Sequence, residues 1–138
     1  MNLLRCLVSF LLIGSSVYAQ LSVTVSPPKV VGQKSIVTLA LSNGLPEKVE
    51  SARAAVFLFD EQGKLVSQAT RWVVGGNQDK PSLAPGATNA FHFVITADKP
   101  FATTNLDAKV NFSRLVLAAG KSANLQSDVK IHYGQKSR

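Results

Sequence analysis

Thr88-Asn89-Ala90-Phe91-His92-Phe93-Val94-Ile95-Thr96 places Phe91, Phe93 and Ile95 at every second position, with His92 between the two phenylalanines. A β-strand sends successive side chains to opposite faces, so this period sets three large apolar groups on one face and His92 on the other. The same period recurs in six further bursts: Leu21 to Val25, Ser35 to Leu41, Ala52 to Phe59, Lys64 to Val73, Lys109 to Ala118 and Val129 to Tyr133. Val37, Leu39 and Leu41 share a face in the second burst, and Val129, Ile131 and Tyr133 share one in the last. Together with Phe91, Phe93 and Ile95 they form the predicted core.

Turn residues punctuate these bursts: Pro27-Pro28 then Gly32, Asn43-Gly44 with Pro46, Asp60 to Gly63, Gly75-Gly76-Asn77, Pro85-Gly86, Asp98 to Pro100, and Gly120. No later stretch carries a sustained 3.6-residue apolar stripe with caps, so no long helix is expected. Seven short strands predict an all-β fold, a seven-stranded antiparallel sandwich of the immunoglobulin/fibronectin III-like kind. Strand count and alternation do not settle pairing, which leaves a small β-barrel as the alternative. The lack of a cysteine pair, and of a tryptophan in the third strand, argues against an antibody-type domain.

The first 19 residues stand apart from this pattern. Arg5 gives a positive start, Leu7 to Ile13 an apolar run broken only by Ser9, and Val17 and Ala19 the small residues a signal peptidase accepts. The expected organisation is a signal peptide over residues 1–19, cleaved before Gln20, and one domain over residues 20–138. The apolar run is shorter than the roughly 20 residues that cross a bilayer, and no later run reaches that length. The product is therefore expected to be secreted or periplasmic, without a transmembrane segment in the mature chain. Cleavage would leave 119 of the 138 residues, lower the formal charge from +7 to +6 and remove Cys6, the only cysteine. A disulfide-free exported domain of this size points to a bacterial envelope.

Chemistry can be tested by inventory. His92 and His132 both alternate with apolar residues, are expected to face solvent, and lack metal-ligand spacing. The acids Asp60, Glu61, Asp79, Asp98, Asp107 and Asp128 form no calcium-loop pattern. Gly75-Gly76 is followed by no phosphate-binding signature. The reading is a non-enzyme with no catalytic residues, no cofactor and no metal. Lysines fall about one per segment, and only Lys136-Ser137-Arg138 is dense, so the basic balance describes a solubilising surface and not a nucleic-acid site.

Three strands depart from simple alternation by carrying bulk on both faces. Phe57 and Phe59 oppose Val56 and Leu58, Leu115 and Leu117 oppose Val116, and Trp72 stands among Thr70, Arg71 and Val73. Either the loops Gly75 to Gly86 or Ala97 to Asp107 cover the second face, or it forms an apolar patch rimmed by arginine. On the second reading Trp72, Phe57, Phe59, Arg53, Arg71 and Arg114 are the candidate partner-binding residues, with Trp72 the anchor.

Val56-Phe57-Leu58-Phe59-Asp60-Glu61-Gln62-Gly63-Lys64-Leu65-Val66, followed by Leu83-Ala84-Pro85-Gly86 and Phe91, resembles the FxLYD-type bacterial secreted domain. Leu58 and Asp60 match its name-giving motif, Val56 stands where Phe is usual, and Phe59 replaces Tyr. The resemblance covers about Ser42 to Ile95. It implies an exported immunoglobulin-like accessory or binding domain and carries over no catalytic residue. The expected function is thus a non-catalytic module of the envelope or extracellular space binding a protein or glycan partner. The alternatives are a structural component acting by self-association at a sheet edge, or a periplasmic chaperone-like protein.

Overall fold

A computed structural model describes residues 19–76 and 80–135, so the predicted signal peptide lies almost wholly outside the described residues. Eight strands run in the order β1 (Leu21–Val25), β2 (Lys29–Val31), β3 (Lys34–Asn43), β4 (Val49–Phe59), β5 (Leu65–Val74), β6 (Thr88–Thr96), β7 (Asp107–Leu117) and β8 (Val129–Tyr133). A single 3₁₀ turn, Ala118–Gly120, follows β7. Three of the seven predicted bursts, at β1, β6 and β8, match their strands end to end; the rest agree within three residues at each end.

Two sheets pack face to face. In the five-stranded sheet β3 is central: β6 pairs along its length on one side, while β2 and β1 divide the other side between them. The second sheet has the order β5-β4-β7, both pairs antiparallel. Val23, Val37, Leu39, Leu41, Phe93 and Ile95 from the first sheet are buried with Val56, Leu58, Val110 and Leu115 from the second. Each large side chain removed from water contributes about 1.5–3 kcal/mol, and this shared layer is what joins the sheets.

The architecture departs from a regular seven-stranded sandwich in two ways. Lys29–Val31, read as part of a turn, pairs with Lys34–Ile36 as a small hairpin around Gly32 and supplies the eighth strand. The last strand, β8, pairs in parallel with β1 in the first sheet, and every other pair is antiparallel. As an edge strand β8 is poorly covered on one side. Val129 is buried as predicted and Ile131 half-buried, but Tyr133 remains 51% exposed and is not a core residue. Its hydroxyl instead accepts a hydrogen bond from the Val110 N–H of β7 (3.1 Å), reaching across from one sheet to the other.

Asn43, read from sequence as a turn residue, is fully buried at the end of β3. Its side-chain Nδ2 donates to the carbonyls of Glu47 (3.0 Å) and Leu83 (2.9 Å), and its Oδ1 accepts from the Leu45 N–H (2.9 Å). Its backbone carbonyl accepts from the Gly86 N–H (2.7 Å), and its N–H donates to the Ala87 carbonyl (3.0 Å). Gly86 has φ 75° and follows Pro85, the pairing a tight turn with a left-handed third residue requires. One buried amide thus ties the β3–β4 connection to the Leu83-Ala84-Pro85-Gly86 turn.

Candidate functional site: the outer face of the three-stranded sheet

Register places the outward side chains of β5, β4 and β7 in rows. Trp72, Arg53 and Arg114 form one row; Thr70, Ala55 and Asn111 the next; Gln68, Phe57 and Lys109 the third; and Leu65, Phe59 and Asp107 the last. Arg53, Arg114 and Lys109 are exposed, whereas Trp72, Phe57 and Phe59 are half-buried. Five of the six residues singled out from sequence therefore share one face. Arg71 does not. It lies opposite Ala54, an inward residue, and its guanidinium donates to the Thr70 carbonyl (2.9 Å) at the sheet edge.

Bulges shape this face. Arg53 pairs with Arg114 and Ala54 with Phe112, which leaves Ser113 as an extra residue on β7. A bulge offsets the strand by one position, so Arg114 points outward where strict alternation from Asn111 would have sent Ser113. On β5, Val73 is extra between Val74 and Trp72, and both valines are buried while Trp72 faces out. The sequence carried this signal in the spacing of Val110, Phe112, Leu115 and Leu117, where one interval is three residues instead of two.

Trp72 is held in place from several directions. Arg53 lies over its ring at 5.9 Å from the centroid, within range of a cation–π contact. Gly76, with φ 85°, passes so close that a Cβ there would collide with the indole. Lys80 donates to the Trp72 carbonyl and sits 4.5 Å from the Phe91 ring centroid, covering the side of the sandwich between β5 and β6. Gly76 and Lys80, the described residues flanking the start of the loop after β5, therefore back Trp72. The loop after β6 closes the end of the sandwich instead: Leu106 is buried, Phe101 packs on the core, and Phe101 N–H donates to the Gly32 carbonyl (3.1 Å).

Electrostatically the face is unbalanced. Arg53 and Arg114 are direct cross-strand partners, an arrangement that costs stability because like charges face each other. Among the described residues the sole ion pair is Lys48 with Glu50, at 4.0 Å, so neither arginine is neutralised there. No family model matches the chain, and no curated protein matches it.

A cleft of about 590 Å³ at the end of the sandwich is lined by Asp60, Glu61, Asp98, Lys99 and Phe101 among others. Two of its three carboxylates are occupied: Asp60 Oδ1 accepts from the N–H groups of Gln62 and Lys64 (both 2.9 Å), and Glu61 Oε1 accepts from the Thr103 hydroxyl (2.6 Å). The Asp60 of the motif is thus the clasp of the β4–β5 turn. His92 and His132 are both exposed, and His92 Nδ1 lies 2.8 Å from Thr38 Oγ1. No group of three or more metal-ligating His, Cys, Asp or Glu side chains occurs among the described residues. No helix among them is long and apolar enough to cross a membrane.

Proposed function

We propose that the protein is an exported, non-catalytic binding module of the bacterial envelope or extracellular space, of the FxLYD type. Its partner, a protein or glycan, is engaged through the outer face of β4, β5 and β7. The observation that carries this reading is the row Trp72–Arg53–Arg114, in which a supported indole lies beside two cations that have no acidic partner among the described residues. Aromatic and arginine side chains dominate binding energy at interfaces, and a sandwich gains nothing in core burial from placing them outside. The carboxylates and histidines found are used in turns or stand singly, which favours binding over catalysis.

Trp72 is the only tryptophan, so its fluorescence reports directly on this face. Titration of the purified protein with envelope polymers is expected to shift or quench that emission saturably, and Trp72→Ala to abolish binding while the protein stays folded. Loss of folded protein in that variant would make Trp72 a structural residue and remove the basis of the reading.

A second reading, self-association, draws on the outer edge of β7. That strand pairs with β4 on one side; on its other edge Tyr133 reaches Val110, and the segment after β7 folds back, with Leu117 N–H donating to the Lys121 carbonyl (2.7 Å) and Ala123 N–H to the Leu115 carbonyl (3.0 Å). The stretch of edge between these two contacts is where a strand from another chain could add. Light scattering separates the two readings: Tyr133→Phe would raise the dimer fraction if this edge is the assembly surface and leave a monomer otherwise.

A further inference from the structure

We infer that the ligand of this face is an acidic polysaccharide, whose carboxylates are taken by Arg53 and Arg114 and whose sugar rings lie against Trp72 and Phe57. The inference rests on the face being a binding surface, and it follows from three features of that face.

The first is charge. Arg53 and Arg114 sit opposite each other with Lys109 two rows away, and no ion pair to any of the three occurs among the described residues. Asp107 lies at the far end and has an interaction of its own. Two guanidinium forks side by side make a receptor for planar carboxylates, which they bind in bidentate fashion. Ligand binding would relieve the repulsion that the free protein carries.

The second is the absence of backbone groups. Within the face, the N–H and C=O groups of β4 are used in ladders to β5 and β7 on either side. An extended acidic peptide gains its affinity by adding to a sheet edge, where main-chain groups are free. A ligand on the face must be held by side chains alone, through charge and ring contact. A chain of sugar carboxylates offers both without needing a strand partner.

The third is shape. Trp72, Arg53 and Arg114 span two strand spacings, roughly 10 Å. Trp72 and Phe57 are half-buried, and the depression on this face lies away from them at its far end, beside Phe59 and Lys109, so the Trp72–Arg53–Arg114 row offers a track and not a pocket. The pyranose ring presents a flat face of C–H groups that suits such a track.

The test follows Trp72 emission while polygalacturonate, its fully methyl-esterified form and poly-glutamate are titrated into the full-length folded protein at low salt. Polygalacturonate is expected to bind saturably, with affinity falling as salt rises, and the ester to bind about tenfold or more weakly. Arg53→Gln with Arg114→Gln should weaken binding by about tenfold or more, whereas Arg71→Gln, on the opposite side of β5, should change it by less than about twofold. Circular dichroism and the urea midpoint verify that each variant is folded. Equal binding of the ester would overturn the charge inference while leaving the face as a binding surface. Equally tight binding of poly-glutamate would assign the site to an acidic protein. Binding that leaves Trp72 emission unchanged and survives Trp72→Ala would overturn both the inference and the reading beneath it, whereas no binding of any of the three would overturn the inference alone.

Discussion

The two outer faces of this sandwich are built from different materials. On the five-stranded sheet the outward positions are mostly small, Ser22, Thr24, Thr38, Ala40, Ser42, Thr88 and Ala90, joined by His92 with its bond to Thr38 and by the aliphatic pair Ile36–Val94. That is the ordinary solvated face of an antiparallel sheet. On the three-stranded sheet the corresponding positions hold Trp72, Phe57, Phe59, Arg53 and Arg114. Concavity does not separate the two, since the small-residue face has a depression of about 530 Å³ and the aromatic face one of about 470 Å³ beside Phe59 and Lys109. What differs is the chemistry offered. The first face shows what folding asks of an outer surface, and the excess on the second is what a binding role has to explain.

Substitutions can test that contrast, and the interior shared by both faces sets the scale. Asn43→Ala removes an amide that satisfies the carbonyls of Glu47 and Leu83 and the N–H of Leu45, all near the buried end of β3. At about 1–3 kcal/mol for each buried group left unpaired, partly recovered by water, a loss of roughly 2–4 kcal/mol is expected in urea unfolding. A smaller loss would mean that the two connections are held without it.

Trp72→Ala should cost about 1–2 kcal/mol, less than a core aromatic, because the indole is half-buried. His92→Ala on the opposite face should cost under about 1 kcal/mol and leave ligand binding unchanged. If the two substitutions behave alike in both stability and binding, the faces are functionally equivalent and the distinction between them fails.

Ser35 is wholly buried and its hydroxyl has no partner among the described residues. Ser35→Ala is expected to raise stability by up to about 1 kcal/mol, read from the same urea curves. The smallest effect carries the most specific information. Arg114→Gln should stabilise the free protein by about 0.2–1 kcal/mol at low ionic strength, and the gain should vanish in high salt. Destabilisation by this substitution would show that Arg114 has a structural partner, and the repulsion argument would fall.

The strand pattern was readable from sequence because alternation is local: β1, β6 and β8 have the bounds that their apolar residues specify. The hidden features depend on neighbours. Nothing in Val129 to Tyr133 says that its partner is β1, running parallel, and the exposure of Tyr133 follows from that edge position. Lys29–Val31 is a strand because Lys34–Ile36 folds back on it, not because of its own pattern. Asn43 looked like half of an Asn-Gly turn, and its second role appears when distant Leu83 arrives beside it. The candidate face was recognisable through Phe57, Phe59 and Trp72, whose bulk had no place in a simple alternation. Arg71 is adjacent to Trp72 in sequence but not on its face, because neighbours in a strand point to opposite sides.

The extra residue at Ser113 makes β7 a strand with a phase slip. From Asp107 to Asn111 the odd-numbered residues look outward, and from Arg114 to Val116 the even-numbered ones do. Without the bulge a strand of this length would send Arg114 inward and Leu115 outward, whereas deletion of Ser113 would let plain alternation keep Arg114 outside and Leu115 inside. Evolution and engineering can vary the residues on this strand one at a time, but the bulge between Phe112 and Arg114 is as much a determinant of the surface as any side chain it displays.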